Sequence, residues 1–209
     1  MKKKFLALAL SLTMVLGLAA CGGGSDNASS DGSSAASGDS GSSTVVVAMG
    51  SGFSTLDPGY VYEKYPPMIV NACYETLFKF YSNDGAPELC LADTYEFSED
   101  GLTLTVTLKD GITFASGNPM TSADVAFSIN RCKNLQGNPA FIADTIDSIE
   151  TPDEKTIVFH LNQQDSAILS KLTYSSLAVL DSAVVKENGG TDAEDAATTD
   201  TAQSYLDTT

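Results

Sequence analysis

The chain has 209 residues, enough for one ordinary domain with tails. Lysine plus arginine number 11 against 27 aspartates and glutamates, a formal net charge of −16; this argues against nucleic acid as a partner, because a phosphate backbone needs a basic face. Hydrophobic residues make up 43% of the chain, enough for a packed core, and the single histidine leaves little room for His-based metal sites or triads.

Lys2, Lys3 and Lys4 give the chain a positive start, and Phe5 to Ala20 follow as an apolar run broken only by Ser11, Thr13 and Gly17. As a helix the run would span about 24 Å, short of a ~30 Å hydrocarbon core. Residues 1–20 therefore read as a secretory signal. Leu18-Ala19-Ala20-Cys21 resembles the lipobox of bacterial lipoproteins. That resemblance implies a diacylglyceryl group on the Cys21 thiol and cleavage just before it.

Gly22 to Ser43 consists of Ser, Gly, Ala, Asp and one Asn, with no bulky apolar side chain. Nothing there offsets the entropy of ordering, so residues 21–43 read as a lipidated Cys21 on a flexible tether. A coil of this kind has an end-to-end distance near ~26 Å. Gly38-Asp39-Ser40-Gly41, which looks like the surroundings of a serine-protease nucleophile, is a chance string in this linker.

The folded part is expected over residues 44–191. Thr44 to Met49 is β-branched and apolar on both faces, which predicts a buried strand. Gly50-Ser51-Gly52 breaks it, and Phe53 to Glu63 reads as loop. Tyr65 to Phe80 carries Met68, Val70, Cys73, Tyr74, Leu77 and Phe78 at roughly helical spacing, with Pro66 and Pro67 in a first turn that tolerates them. Thr94 to Ser98 and Leu102 to Leu108 alternate across Ser98-Glu99-Asp100-Gly101, a β-hairpin with Leu104, Val106 and Leu108 toward a core.

Thr121 is the expected N-cap of a helix, with Asp124 three residues on as an acidic capping box, and Val125, Ile129 and Cys132 share one face. Thr145–Glu150 and Lys155–Leu161 read as two strands around Thr151-Pro152-Asp153-Glu154. Ala167–Tyr174 reads as a short helix, Leu177–Leu180 as a strand, and Ser182–Glu187 as a helix closed by Gly189-Gly190. The fold class is α/β, with an α+β lobe in the middle of the chain. From Asp192 to Thr209 the pattern ends: five acids, no base, and only Tyr205 and Leu206 as large apolar groups. Residues 192–209 read as an acidic tail on a chain cut short.

Ala92, Asp100 and Thr103-Leu104-Thr105-Val106-Thr107-Leu108-Lys109-Asp110-Gly111-Ile112-Thr113-Phe114 together resemble the signature of the extracellular solute-binding proteins of family 5. Gly117 to Arg131, Leu56-Asp57-Pro58, Tyr74 to Phe78 and the hairpin Ile146–Leu161 are similar to further blocks of that family, so the likeness runs from Thr44 to about Gly190. Thr113 stands where a basic residue is common, and Ala115-Ser116 replace a usual His-Asp.

The resemblance implies the N-terminal part of a two-domain, periplasmic-binding-protein-like clamp of type II, cluster C-like, incomplete here. It implies a binding protein, not an enzyme, lipid-anchored on the extracytoplasmic face of the cell membrane. Its partners would be a peptide, delivered to an ABC permease with its ATPase, and it would need no cofactor. Nickel chelates, oligosaccharides or another small solute are the alternative ligands, and a surface lipoprotein without a transport role is the alternative of another class. The loop after the first strand borders the cleft in the family, which points to Gly50, Ser51, Gly52, Phe53 and Ser54 as ligand-binding residues; a plain strand-to-helix connection explains any one of them equally well.

His160 reads as a half-exposed strand residue. Cys73, Cys90 and Cys132 lack zinc-ligand spacing; one disulfide, Cys73–Cys90 first, and buried small hydrophobes remain alternatives. The acids Asp93, Glu96, Glu99 and Asp100 read as a solvated hairpin end, with a calcium site as the alternative.

Overall fold

The structure is a computed structural model and describes residues 46, 48, 50, 52–81 and 85–208. The secretory signal, Cys21, the tether and its Gly38-Asp39-Ser40-Gly41 string lie outside the described residues.

The alternation of Leu104, Val106 and Leu108 with threonines produces strand β4, and it sits inside an antiparallel sheet. Two short strands come first, β1 (Phe78–Lys79) and β2 (Glu88–Leu89), paired with each other. The main sheet holds β3 (Ala92–Phe97), β4 (Thr103–Leu108), β5 (Ile146–Glu150) and β6 (Thr156–Leu161) in the order β3-β4-β6-β5. Leu104 faces Phe159 and Val106 faces Ile157 across β4 and β6. Residues directly opposite in an antiparallel pair share a face, so all four side chains enter one interior and all are fully buried.

The helices are α1 (Pro66–Cys73), α2 (Ser122–Asn134), α3 (Ile168–Lys171), α4 (Ser182–Glu187), α5 (Ala196–Thr199) and α6 (Gln203–Leu206). α2 is the organising helix. The Thr121 N–H donates to Asp124 Oδ2 at 2.8 Å, the returning half of the capping box, and the Thr121 hydroxyl donates to the same oxygen at 2.8 Å. Val125, Ile129 and Cys132 join Leu104, Val106, Ile157 and Phe159 in the main core. Phe127, on another side of α2, enters a second cluster with Leu180, Val185, Ala202 and Leu206.

Several elements differ from expectation. Of the strand expected at Thr44–Met49, Val46 and Ala48 are described; both are exposed and neither is in a strand. The rest of that run lies outside the described residues. The helix expected to reach Phe80 stops at Cys73, because Tyr74 turns to extended backbone. Leu77 and Phe78 are buried there from irregular chain and β1 instead. The expected helix Ala167–Tyr174 shrinks to the single turn α3.

Leu177–Leu180 is buried but is not a strand. Its backbone groups find other partners: Val179 N–H donates to Glu75 O at 2.9 Å and Leu180 N–H to Ser128 Oγ at 2.9 Å. The unpatterned tail is corrected as well. Within 192–208, Ala196, Ala202 and Leu206 are buried, and Asp200 and Asp207 hold other parts of the chain. No cysteine pair forms a disulfide among the described residues: Cys73 is a free exposed thiol and Cys90 a free buried one.

Candidate functional site

Three features could carry function: an apolar groove, the loop at residues 50–63, and a buried charge cluster beneath that loop. The groove has a volume of about 570 Å³, within the size range of small-ligand sites. Ile112, Phe114, Val179, Val184 and Leu206 give it apolar walls; Tyr74, Glu75, Ser116, Asp181 and Tyr205 supply polar groups. Asp181 fixes one side. Its Oδ1 caps α4 by accepting from Val184 N–H at 3.2 Å. Its Oδ2 accepts from Ser116 Oγ at 2.6 Å and from Asn118 Nδ2 at 2.9 Å. Burial alone would raise the Asp181 carboxyl, but these hydrogen bonds outweigh it and hold the pKa below the usual range. Thr113 and Ala115-Ser116, the positions that depart from the family pattern, lie in this wall.

Of the expected ligand loop, Gly50, Gly52, Phe53 and Ser54 are exposed, while Ser51 falls outside the described residues. Ser54 Oγ donates to Glu63 Oε1. A Cβ at Gly50 would sit 3.1 Å from Tyr65 Oη, whereas one at Gly52 would meet open space. None of the described loop residues lines the groove. The structure leaves the loop and the groove as separate surfaces.

Beneath the loop, Arg131 is fully buried. Its Nη1 and Nη2 donate to Asp57 Oδ1 and Oδ2 at 2.8 and 2.7 Å. Its Nε and Nη2 donate to Asp200 Oδ2 and Oδ1 at 2.8 and 2.9 Å. Burial pulls the Arg131 pKa down, but its bonds to Asp57 and Asp200 outweigh that and raise it further above its ordinary value. Asp57 Oδ1 also accepts from Gly59 N–H at 2.9 Å, which shapes the Pro58–Tyr60 turn. A Cβ at Gly59 would come within 2.6 Å of Leu135 Cδ1 and 3.1 Å of Arg131 Nη1, so a larger residue there would force the Leu135 side chain to move. Asp57 and Arg131 were visible in the sequence only as members of family-like blocks. No local signal joins residues 74 positions apart, and Asp200 lies in the stretch whose composition reads as an acidic tail.

Several candidates sit as ordinary strand or surface residues. His160 is a half-buried strand residue whose Nε2 lies 3.2 Å from Glu150 Oε1. Glu96, Glu99 and Asp100 are exposed at or beside the β3–β4 turn, and Asp93 is exposed near the other end of β3, away from it. No group of three or more metal-ligating side chains occurs among the described residues, and no described helix is long and apolar enough to cross a membrane.

The model of the bacterial extracellular solute-binding proteins, family 5 Middle, matches residues 86–204. The chain belongs to that family. The match passes Gly190 and takes in Asp200, so the family-like sequence extends into the stretch read as a tail. The glutathione-binding protein GsiB of Salmonella typhi is 30% identical over 147 residues, which is 69% of this chain and 28% of that protein. The substrate-binding domain of an oligopeptide ABC transporter from Bacillus anthracis str. Ames superposes with a TM-score of 0.61 at 22% identity. It covers 65% of this chain and 29% of its own. At that identity it establishes the fold alone. The binding protein AgaA of A. tumefacien R10, in complex with agropinic acid, has a TM-score of 0.57 at 29% identity, covering 65% of this chain and 28% of its own. The chain thus spans less than a third of the length of these relatives. The family is made of solute-binding proteins, not enzymes.

Proposed function

We propose that this chain is part of the substrate-binding component of an ABC importer. It takes up a short peptide outside the cytoplasm and hands it to a membrane permease. The observation that carries the reading is the 30% identity to the glutathione-binding GsiB across 69% of the chain. Gly50, Ser51, Gly52, Phe53 and Ser54 are proposed as the ligand-facing loop. Glycines let a peptide backbone approach closely, and Phe53, exposed at 39%, offers a ring for a ligand side chain. Lipid on Cys21 is proposed as the membrane anchor. The acidic remainder of the chain is repelled by an anionic lipid surface, whereas each buried acyl methylene contributes ~0.8 kcal/mol.

A second reading keeps the transport role and replaces the peptide by another small solute. The 29% identity to AgaA with its agropinic acid favours it. Calorimetry of the protein, expressed at the full length of its gene, decides between them. Saturable heat with di- to pentapeptides supports the first reading. No heat with any peptide, together with heat from a non-peptide solute, supports the second.

A further inference from the structure

We propose that residues 191–208 are a strap that holds the loop 52–61 in place, and that strap and loop open together as one unit while the sheet lobe stays folded. α5 and α6 have four residues each, far too short to persist on their own. The buried apolar groups that the strap adds to a core cluster, Ala202 and Leu206, enter the second cluster and not the main one. Polar ties to the loop add to these contacts.

Asp207 Oδ1 alone accepts from Thr55 Oγ1 at 2.7 Å, Leu56 N–H at 2.7 Å and Asp57 N–H at 3.2 Å. Asp200 accepts from Arg131 and also from Thr191 N–H at 2.9 Å and Ala202 N–H at 3.1 Å. Arg131 passes the link on to Asp57. Detaching the strap thus removes the acceptor of Leu56 N–H, one of the two acceptors of Asp57 N–H (Thr55 Oγ1, at 3.0 Å, is the other), and one of the two carboxylates on Arg131. Local openings of this kind are common in folded proteins and follow such cooperative boundaries. Tyr205 and Leu206 also wall the groove, so the same opening would dismantle that wall. One segment controls both surfaces.

Native-state hydrogen exchange, read residue by residue by NMR at increasing denaturant, tests this on the unmodified protein. The amides of Leu56, Asp57, Thr191, Ala202 and Leu206 are expected to share one opening free energy. Leu108 and Leu161, bonded to Lys155 O and Leu102 O across the sheet, are expected to open at a higher one. Asp207→Ala is expected to speed exchange at Leu56 and Asp57 by about tenfold or more, the loss of one or two net hydrogen bonds, with Leu108 and Leu161 unchanged. Asp207→Asn keeps an acceptor oxygen and is expected to restore slow exchange. Loop and strap amides opening at different free energies would overturn the proposal. So would both opening together with the sheet.

Discussion

Arg131 and Asp57 meet fork to fork, 74 residues apart in sequence, with both side chains fully buried. Two parallel N–H···O bonds of 2.8 and 2.7 Å are the strongest ordinary way for a guanidinium to hold a carboxylate. Asp200 occupies the remaining side of the same guanidinium. One cation therefore ties the N-terminal loop, α2 and the C-terminal stretch at a single point.

Removing the cation leaves two buried carboxylates facing each other. Arg131→Met is expected to cost about 3–5 kcal/mol of stability, the range for breaking a buried ion pair. Arg131→Lys is expected to recover only part of it, because an ammonium cannot span four oxygens with a planar fork. Urea unfolding of the three proteins checks both statements.

Acid should loosen this tie. Burial would raise the Asp200 carboxyl, but its bonds from Arg131 and from Thr191 N–H outweigh that and lower its pKa. A carboxyl depressed in the folded state stabilises fully above its unfolded value, about 3.9. It loses that contribution as pH falls through the folded value. Urea midpoints measured from pH 7 down to 2 should fall less steeply for Asp200→Asn than for the native protein. The mutant starts from a lower midpoint at pH 7.

The cysteines differ in reach. Cys73 is exposed, while Cys90 and Cys132 are buried. Burial first, and then the Asp57 charge, push the Cys132 thiol up to about 12, where almost no thiolate forms near neutral pH. Native protein treated with a maleimide should therefore carry the label on Cys73. Cys90 and Cys132 should label only in denaturant. Peptide mapping reads the sites, and a Cys73–Cys90 cross-linked peptide would contradict the prediction.

Cys21 carries the anchoring proposal. Cells expressing the Cys21→Ser protein should incorporate no labelled palmitate into it and should release it from the membrane fraction. Retention of both label and membrane association would remove Cys21 as the anchoring site from the account.

Much of the lobe was legible because its signals are local. Period-2 alternation in Leu102–Leu108, the Thr121–Asp124 box and the apolar spacing of Val125, Ile129 and Cys132 each lie within a dozen residues. Elements failed where a partner decides the backbone. Leu177–Leu180 has strand composition, yet Ser128 and Glu75 take its N–H groups. The site was the least legible part. Arg131, Asp57, Asp200 and Asp207 act through contacts across the whole chain, and Asp200 and Asp207 sit in a segment whose composition resembles a solvated tail.

Uptake of a labelled short peptide by cells, with and without this gene, tests the peptide-import reading most directly. Loss of uptake on deletion, with recovery when the gene is restored, is the predicted result. Undiminished uptake of every peptide tried, alongside lost uptake of a non-peptide solute, would contradict it.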